Sequence, residues 1–216
     1  MTVEMEKLKS REEWLNARSG IGGSDAAAIV GCNPYMTNID LWEYLTGKAE
    51  RPDISEKPYV KYGVEAEKHL RDLFAMDYPQ YKVRYEENNI WHNDKIPFAH
   101  ASLDGWLLDE DGRDGILEIK TTEILRSQQK ELWNDRVPEN YYCQILHYLM
   151  VTGFEFAVLK AQLKSSFGGE VYLQTKHYKW ERKDVLDDIK YLYKEEKAFY
   201  DAITNNIKPS LVLPPL

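Results

Sequence analysis

Two carboxylates and one ammonium, Asp104, Glu118 and Lys120, are spaced so that they could act together on a phosphodiester. They sit in Ser102-Leu103-Asp104-Gly105-Trp106-Leu107-Leu108 and in Ile116-Leu117-Glu118-Ile119-Lys120, with a polar turn through Asp111 and Gly112 between the two runs. Apolar-rich runs flanking a Gly-containing loop read as a β-hairpin, with Asp104 on its first strand. Residues two apart on a strand point to one face, so Glu118 and Lys120 share a face and Leu117 and Ile119 take the other. With Asp104 facing the same way from the neighbouring strand, the three groups converge. Two hard anionic oxygens suit Mg2+ or Mn2+, which polarises a phosphoryl oxygen and lowers the pKa of a bound water. The lysine could orient that water or offset charge in the transition state. A surface hairpin with a Glu and a Lys on its solvent face fits the same pattern.

Three further stretches carry candidate groups. Arg18-Ser19-Gly20-Ile21-Gly22-Gly23-Ser24-Asp25 leads into Ala26-Ala27-Ala28-Ile29-Val30-Gly31, a glycine-rich turn feeding a small-residue helix with Ser24 as its expected N-cap. Backbone N–H groups at a helix start attract phosphate, and Arg18 and Ser24 would add donors. A flexible turn with a capped helix explains the stretch equally well. Tyr59 to Met76 reads as a strong helix with the stripe Val60, Gly63, Leu70 and Phe74, on which Glu67 also falls. A carboxylate there is costly unless a metal or partner compensates, or unless it snorkels to water from the stripe edge. Asn140 to Thr152, opened by Pro138-Glu139 and ended by Gly153, has the inner stripe Tyr141, Gln144, Ile145, Tyr148 and Thr152. Gln144 is a polar group on a face expected to be dry, able to bond a water, a phosphate or the backbone.

These groups need a scaffold, and 216 residues suffice for one substantial core. We expect a single domain over 1–216, since no repeat, low-complexity tract or linker divides it. Ser10-Arg11-Glu12-Glu13 has the capping-box form and predicts a short helix to Arg18. Ile39 to Thr46 reads as a helix stopped by Gly47. Tyr81 to His92 and Pro97 to Leu108 each read as one strand, and Thr121 to Trp133 as weakly helical. Phe154 to Lys164 and Glu170 to Tyr178 read as a hairpin around Gly168-Gly169, followed by an amphipathic helix from Lys183 to Asn205. The tail, Pro209 to Leu216, reads as a segment that docks on a neighbour.

Composition removes several classes. No apolar run approaches the ~20 residues that span a bilayer, and the start lacks a signal-peptide core, so we expect no membrane association and a cytoplasmic location. Cys32 and Cys143 lie far apart in the chain, which fits unpaired thiols in a reducing compartment and leaves no cysteine quartet for zinc or an iron–sulfur cluster. His69, His92, His100, His147 and His177 do not cluster, and only His100 is near Asp104. No GxSxG, HExxH or P-loop pattern occurs. The net charge of −8 argues against tight non-specific coating of DNA, but a local basic groove can coexist with an acidic exterior.

The order Arg18…GIGGSDAA…Gly63-x-x-x-Glu67…Asp104-Gly105…Glu118-Ile119-Lys120…Tyr141-x-x-Gln144-x-x-x-Tyr148 resembles the YqaJ-like viral recombinase family, in the lambda-exonuclease branch of the PD-(D/E)XK nucleases. The resemblance covers roughly residues 10 to 155, and Leu103 stands where the superfamily name has Pro. It implies an α/β (mixed α+β) fold with a central mixed sheet flanked by helices, the restriction-endonuclease-like core. It implies Mg2+ or Mn2+ held by Asp104, Glu118, Glu67 and the Ile119 carbonyl, with Lys120 positioning the nucleophilic water and Gln144 assisting. Arg18 and Ser24 would hold a 5′-terminal phosphate. The implied activity is digestion of one strand of linear double-stranded DNA from its 5′ end, leaving 3′ single strands for a phage annealing protein, by a ring-shaped trimer. An endonuclease on the same core and a non-catalytic DNA-end-binding protein are the competing readings.

Overall fold

A computed structural model describes residues 2–213 of the chain. In chain order the elements are β1 (Val3–Lys7), α1 (Arg11–Ala17), α2 (Gly23–Ile29), α3 (Asn38–Leu45), α4 (Pro58–Asp77), β2 (Lys82–Arg84), β3 (Asn89–Asn93), β4 (His100–Ala101), β5 (Gly105–Leu108) and β6 (Asp114–Glu123). There follow α5 (Ser127–Glu131), α6 (Glu139–Thr152), β7 (Phe156–Phe167), β8 (Glu170–Glu181), a 3-10 turn (Arg182–Val185) and α7 (Leu186–Thr204). The central sheet has five strands in the order β2-β5-β6-β7-β8, and it is mixed because β6 and β7 run parallel while the other pairs are antiparallel. That is the expected mixed α+β architecture with helices on both sides.

Strand alternation decides what each face of this sheet holds. Leu107, Leu117, Ile119, Phe156 and Val158 pack on one side against Leu70 and Phe74 of α4. Trp106, Ile116, Ala157, Leu159 and Ala161 face the other way, into the larger core with α2, α6 and α7. Leu117 and Ile119 therefore oppose Glu118 and Lys120, as their spacing requires. Helix α6 runs through the middle of the larger core, with every residue from Cys143 to Thr152 buried. The stripe read for it was too narrow because it is covered on all sides. Local signals hold where expected: the Ser10 hydroxyl accepts the Glu13 N–H at 3.1 Å to start α1, and Thr37 and Asp40 cap α3 reciprocally.

Several expectations are corrected. A separate antiparallel sheet, β1-β3-β4, uses an N-terminal strand that the mixed-charge sequence did not suggest. Tyr81 to His92 is two strands in different sheets, broken at a polar turn where Asn88 adopts φ 55°. Pro97 to Leu108 is likewise two, β4 and β5, so Asp104 lies just before its strand rather than on it. Thr121 to Glu123 extend β6 before the short α5 begins. The N-cap of α2 is Gly22, not Ser24. Of the tail, Ser210 and Val212 are clamped by the buried Asn38 side chain, which donates to the Ser210 carbonyl at 2.8 Å and accepts from the Val212 N–H at 3.0 Å. That part docks on its own α3, and residues 214–216 lie outside the described ones.

Candidate active site

The β5–β6 hairpin stops pairing at Gly105 and Leu117, and the next position up holds Asp104 against Glu118. The Asp104 carboxylate takes over where the ladder ends, accepting the Ile119 N–H at 2.8 Å. In an extended strand the N–H and C=O of one residue lean to the same edge, so the Ile119 carbonyl also looks toward Asp104. Glu118 and Lys120 share a face, as expected, and meet: Lys120 Nζ is 2.7 Å from Glu118 Oε1. Glu118 is 1% exposed, and its Oε2 is buried without a hydrogen-bond partner. The surface-hairpin alternative fails on that burial.

The electrostatics follow from packing acids together away from water. Burial, then the charge of Glu118, pushes the Asp104 carboxyl up to about 7. Glu118 is raised by burial too, although Lys120 pulls it back. Burial would lower the Lys120 ammonium, but Glu118 and Asp104 overcome that and hold it well above its ordinary value, firmly charged. On α4, Glu67 is raised by burial and by Asp104. Glu67 is therefore the partly buried acid that its helix stripe indicated, and it faces the same cluster.

Residues not singled out from the sequence position these groups. Arg71, one turn after Glu67 and 7% exposed, donates from Nη1 to Glu67 Oε1 at 2.9 Å and to the Asp104 carbonyl. Its guanidinium lies over the Tyr85 ring, 3.5 Å from the centroid. The (i, i+4) Glu–Arg spacing was a signal available in the sequence. Asn89 of β3 clamps the segment before Asp104: its amide donates to the Leu103 carbonyl and accepts the Leu103 N–H, both at 2.9 Å. A side chain thus replaces a strand neighbour and ties the two sheets together beside Asp104. Arg71→Leu should destabilise the protein by about 1–3 kcal/mol in urea unfolding, because it strands the partly buried Glu67 carboxylate. Glu67→Gln in the same background should recover most of that loss, and no recovery would mean that Arg71 acts through its packing alone.

The glycine-rich turn comes to the same place. Gly20 (φ +86°) lets the chain pass the Phe98 carbonyl, and the Ile21 N–H donates to that carbonyl at 2.9 Å. A side chain at Gly23 would collide with the Tyr148 ring, so α2 starts directly against α6, beside Gln144 and Tyr148. Ser24, freed from capping, is exposed. Arg18 stacks on Trp14, 4.4 Å from the ring, and Trp14 Nε1 donates to Ser102 Oγ at 3.1 Å. His100 donates from Nδ1 to the Ser19 carbonyl (3.1 Å), which leaves Nε2 as a buried acceptor with no partner. Burial, His147 and Arg18 push its pKa down to about 3, so it is neutral. Behind it, buried His147 bonds the His100 carbonyl (2.9 Å) and Glu196 (2.8 Å), pinning β4 to α6 and α7.

Five of the expected residues, Arg18, Ser24, Glu67, Asp104 and Gln144, line one cavity of about 760 Å3. Glu118 and Lys120 do not line it but lie close to Asp104, near enough to shift its carboxyl, and Gln144 donates to the Tyr148 hydroxyl at 2.8 Å. Among the described residues no three His, Cys, Asp or Glu side chains are gathered as they stand to hold an ion. Glu67 is turned to Arg71 and Glu118 to Lys120. The donor set nonetheless fits a hard divalent cation: oxygen ligands, an orphaned buried Glu118 oxygen, and acids whose charge nothing fully compensates.

Comparison with known proteins gives one consistent picture. The family model of the YqaJ-like viral recombinase domain matches residues 13–155. The uncharacterized protein YqaJ of Bacillus subtilis (strain 168) is 32% identical over 207 residues, 94% of this chain and 59% of that protein. The chain thus spans about 59% of the length of this curated relative. Among solved structures, an alkaline exonuclease of Laribacter hongkongensis shares the fold with a TM-score of 0.62 at 16% identity, over 90% of this chain and 95% of that one. A phage-related exonuclease of Haemophilus somnus 129PT gives 0.51 at 13% identity, over 90% and 99%.

Proposed function

The chain belongs to the YqaJ-like viral recombinase family, and from that premise we propose that it is a metal-dependent deoxyribonuclease acting on the 5′ end of linear double-stranded DNA. The observation that carries the reading is the single cavity in which Arg18 and Ser24 face Glu67, Asp104 and Gln144. Asp104, Glu118, Glu67 and the Ile119 carbonyl would hold Mg2+ or Mn2+, which supplies Lewis acidity and water activation. Lys120 orients the attacking water and offsets charge on the phosphoryl oxygens. Gln144, fixed by Tyr148, adds a second polar contact. Arg18, braced on Trp14, and Ser24 at the start of α2 receive a terminal phosphate, which carries more charge than an internal diester. That arrangement favours an exonuclease over an endonuclease on the same core. The intact acid–acid–lysine set favours an enzyme over a passive end-binding protein.

Wild type is expected to digest linear duplex and spare closed circles, with digestion abolished by chelator. It should digest 5′-phosphorylated duplex faster than 5′-hydroxyl duplex. Hydrogen bonds to charged groups are worth about 1.5–3 kcal/mol, so Arg18→Ala should slow the phosphorylated substrate roughly tenfold to a hundredfold. The hydroxyl substrate should change little. Both enzymes on both ends form a double-mutant cycle. Simply additive effects would remove Arg18 from phosphate reading. The same reading assigns the 3′ single strand to an annealing protein and the enzyme to a homotrimeric ring with its acidic surface outward. Light scattering with and without DNA tests the ring, and a monomer throughout rejects it.

A further inference from the structure

The sheet face that carries Glu118 continues beyond the catalytic groups. Glu118 is in register with Leu159, and Leu159 with Tyr178. Tyr178 therefore stands in the same row two strands away, about 10 Å at ~4.8 Å per strand. A run of aromatic rings bridges the gap. Lys120 Nζ is 5.3 Å from the Tyr141 ring, and Tyr141 is 5.6 Å from Trp133. Trp133 is 6.1 Å from Tyr178, Tyr178 is 6.3 Å from Trp180, and Trp180 is 5.9 Å from Tyr142. Trp133 is buried between Tyr141 and Tyr178. Tyr142, Tyr178 and Trp180 are half-buried and line a second cavity of about 410 Å3 with Arg136 and Lys179.

The hydroxyls of Tyr142 and Tyr178 are already used. The Tyr142 hydroxyl donates to Asp188 Oδ2 at 2.6 Å. The Tyr178 hydroxyl donates to the Trp133 carbonyl, which also accepts Lys176 Nζ at 2.6 Å. What remains on offer is ring surface and the Trp180 indole N–H, held rigidly at little entropic cost to a ligand. Asp135 and Glu139 on the rim offset Arg136 and Lys179, so the cavity has no strong field of its own. Among the described residues Arg136 makes no ion pair, which leaves its guanidinium for one neighbouring phosphate. A rigid aromatic crescent with one free guanidinium suits a flat base on a backbone. Stacking of that kind tolerates any sequence, because every base has a π-face.

From these contacts we infer that Tyr142, Tyr178 and Trp180 form a stacking site for a nucleobase of single-stranded DNA, two strands along the sheet from Glu118. The source of that strand rests on the exonuclease reading; the binding itself does not.

The test uses the full chain in chelator, so that nothing is digested, with a fluorescein-labelled deoxyadenosine oligonucleotide and an abasic strand of equal length. Wild type should bind the base-bearing strand about tenfold more tightly than the abasic one, the scale of one stacked base. Trp180→Ala should erase that ratio, and Tyr142→Phe, which keeps the ring, should preserve it. Should Trp180→Ala fail to fold, Tyr142→Leu takes its place with the same expectation. Equal binding of the two strands by wild type overturns the site, as does a ratio unchanged in Trp180→Ala. A change in oligomeric mass with the ratio intact would reassign the crescent to contact between protein chains. Digestion of linear duplex is measured separately. Its absence would sink the exonuclease reading while the base-to-abasic ratio still decides this one.

Discussion

Asp104→Asn and Glu118→Gln are each expected to reduce hydrolysis of linear duplex DNA by about a thousandfold or more, since each removes an anionic oxygen from the set that would hold the metal. The same variants should be at least as stable as wild type when metal is withheld. In wild type the Asp104 carboxyl is pushed up to about 7 by burial and by Glu118, and Glu118 is raised as well. A carboxyl with a raised folded pKa binds protons more tightly folded than unfolded. Stability in chelator therefore falls as pH rises from the unfolded value, about 4, toward 7, and levels off above it. Asp104→Asn removes most of that slope, and Mn2+ should offset it in wild type at pH 8 by binding only the folded state. Urea unfolding at pH 5 and pH 8, with and without Mn2+, checks this beside a digestion assay. Wild-type digestion by Asp104→Asn would remove Asp104 from the reaction.

Lys120→Met should leave metal binding in place and lower the hydrolysis rate by about a hundredfold to a thousandfold, the range for losing one preorganised charge contact to a transition state. Lys120 Nζ lies 2.7 Å from Glu118 Oε1, with its other donors free of any competing ion pair among the described residues. Its acidic neighbours Glu118 and Asp104, working against burial, keep it charged across the working pH range. Its loss removes a cation from beside the groups that would hold the metal, so Mn2+ affinity by calorimetry should hold or tighten. The metal-free variant should lose about 3 kcal/mol of stability, since the buried Glu118 charge is left unpaired. A variant that loses metal affinity and rate to the same degree would make Lys120 a structural counter-ion rather than a partner of the water.

Local order in the sequence determined much of this site. Two-residue periodicity on β6 was enough to set Glu118 and Lys120 against Leu117 and Ile119, because a strand has no other way to alternate its side chains. Helical periodicity marked Glu67 and Gln144 as polar groups on apolar faces, and both line the cavity. Spacing in the chain could not reach contacts made across it. Arg71 pairs with Glu67 locally, but its bond to the Asp104 carbonyl needs α4 packed on the hairpin. Asn89 holds Leu103 across 14 positions, and His147 holds His100 across 47. Gly22 rather than Ser24 caps α2 because Tyr148 and the Phe98 carbonyl dictate where that turn can run. Residue types and period chose the acids, the lysine and the faces. Packing of α4, α6 and β3 around the unpaired end of one hairpin decided that they meet, since only long-range burial sets the distances and the dielectric on which the chemistry depends.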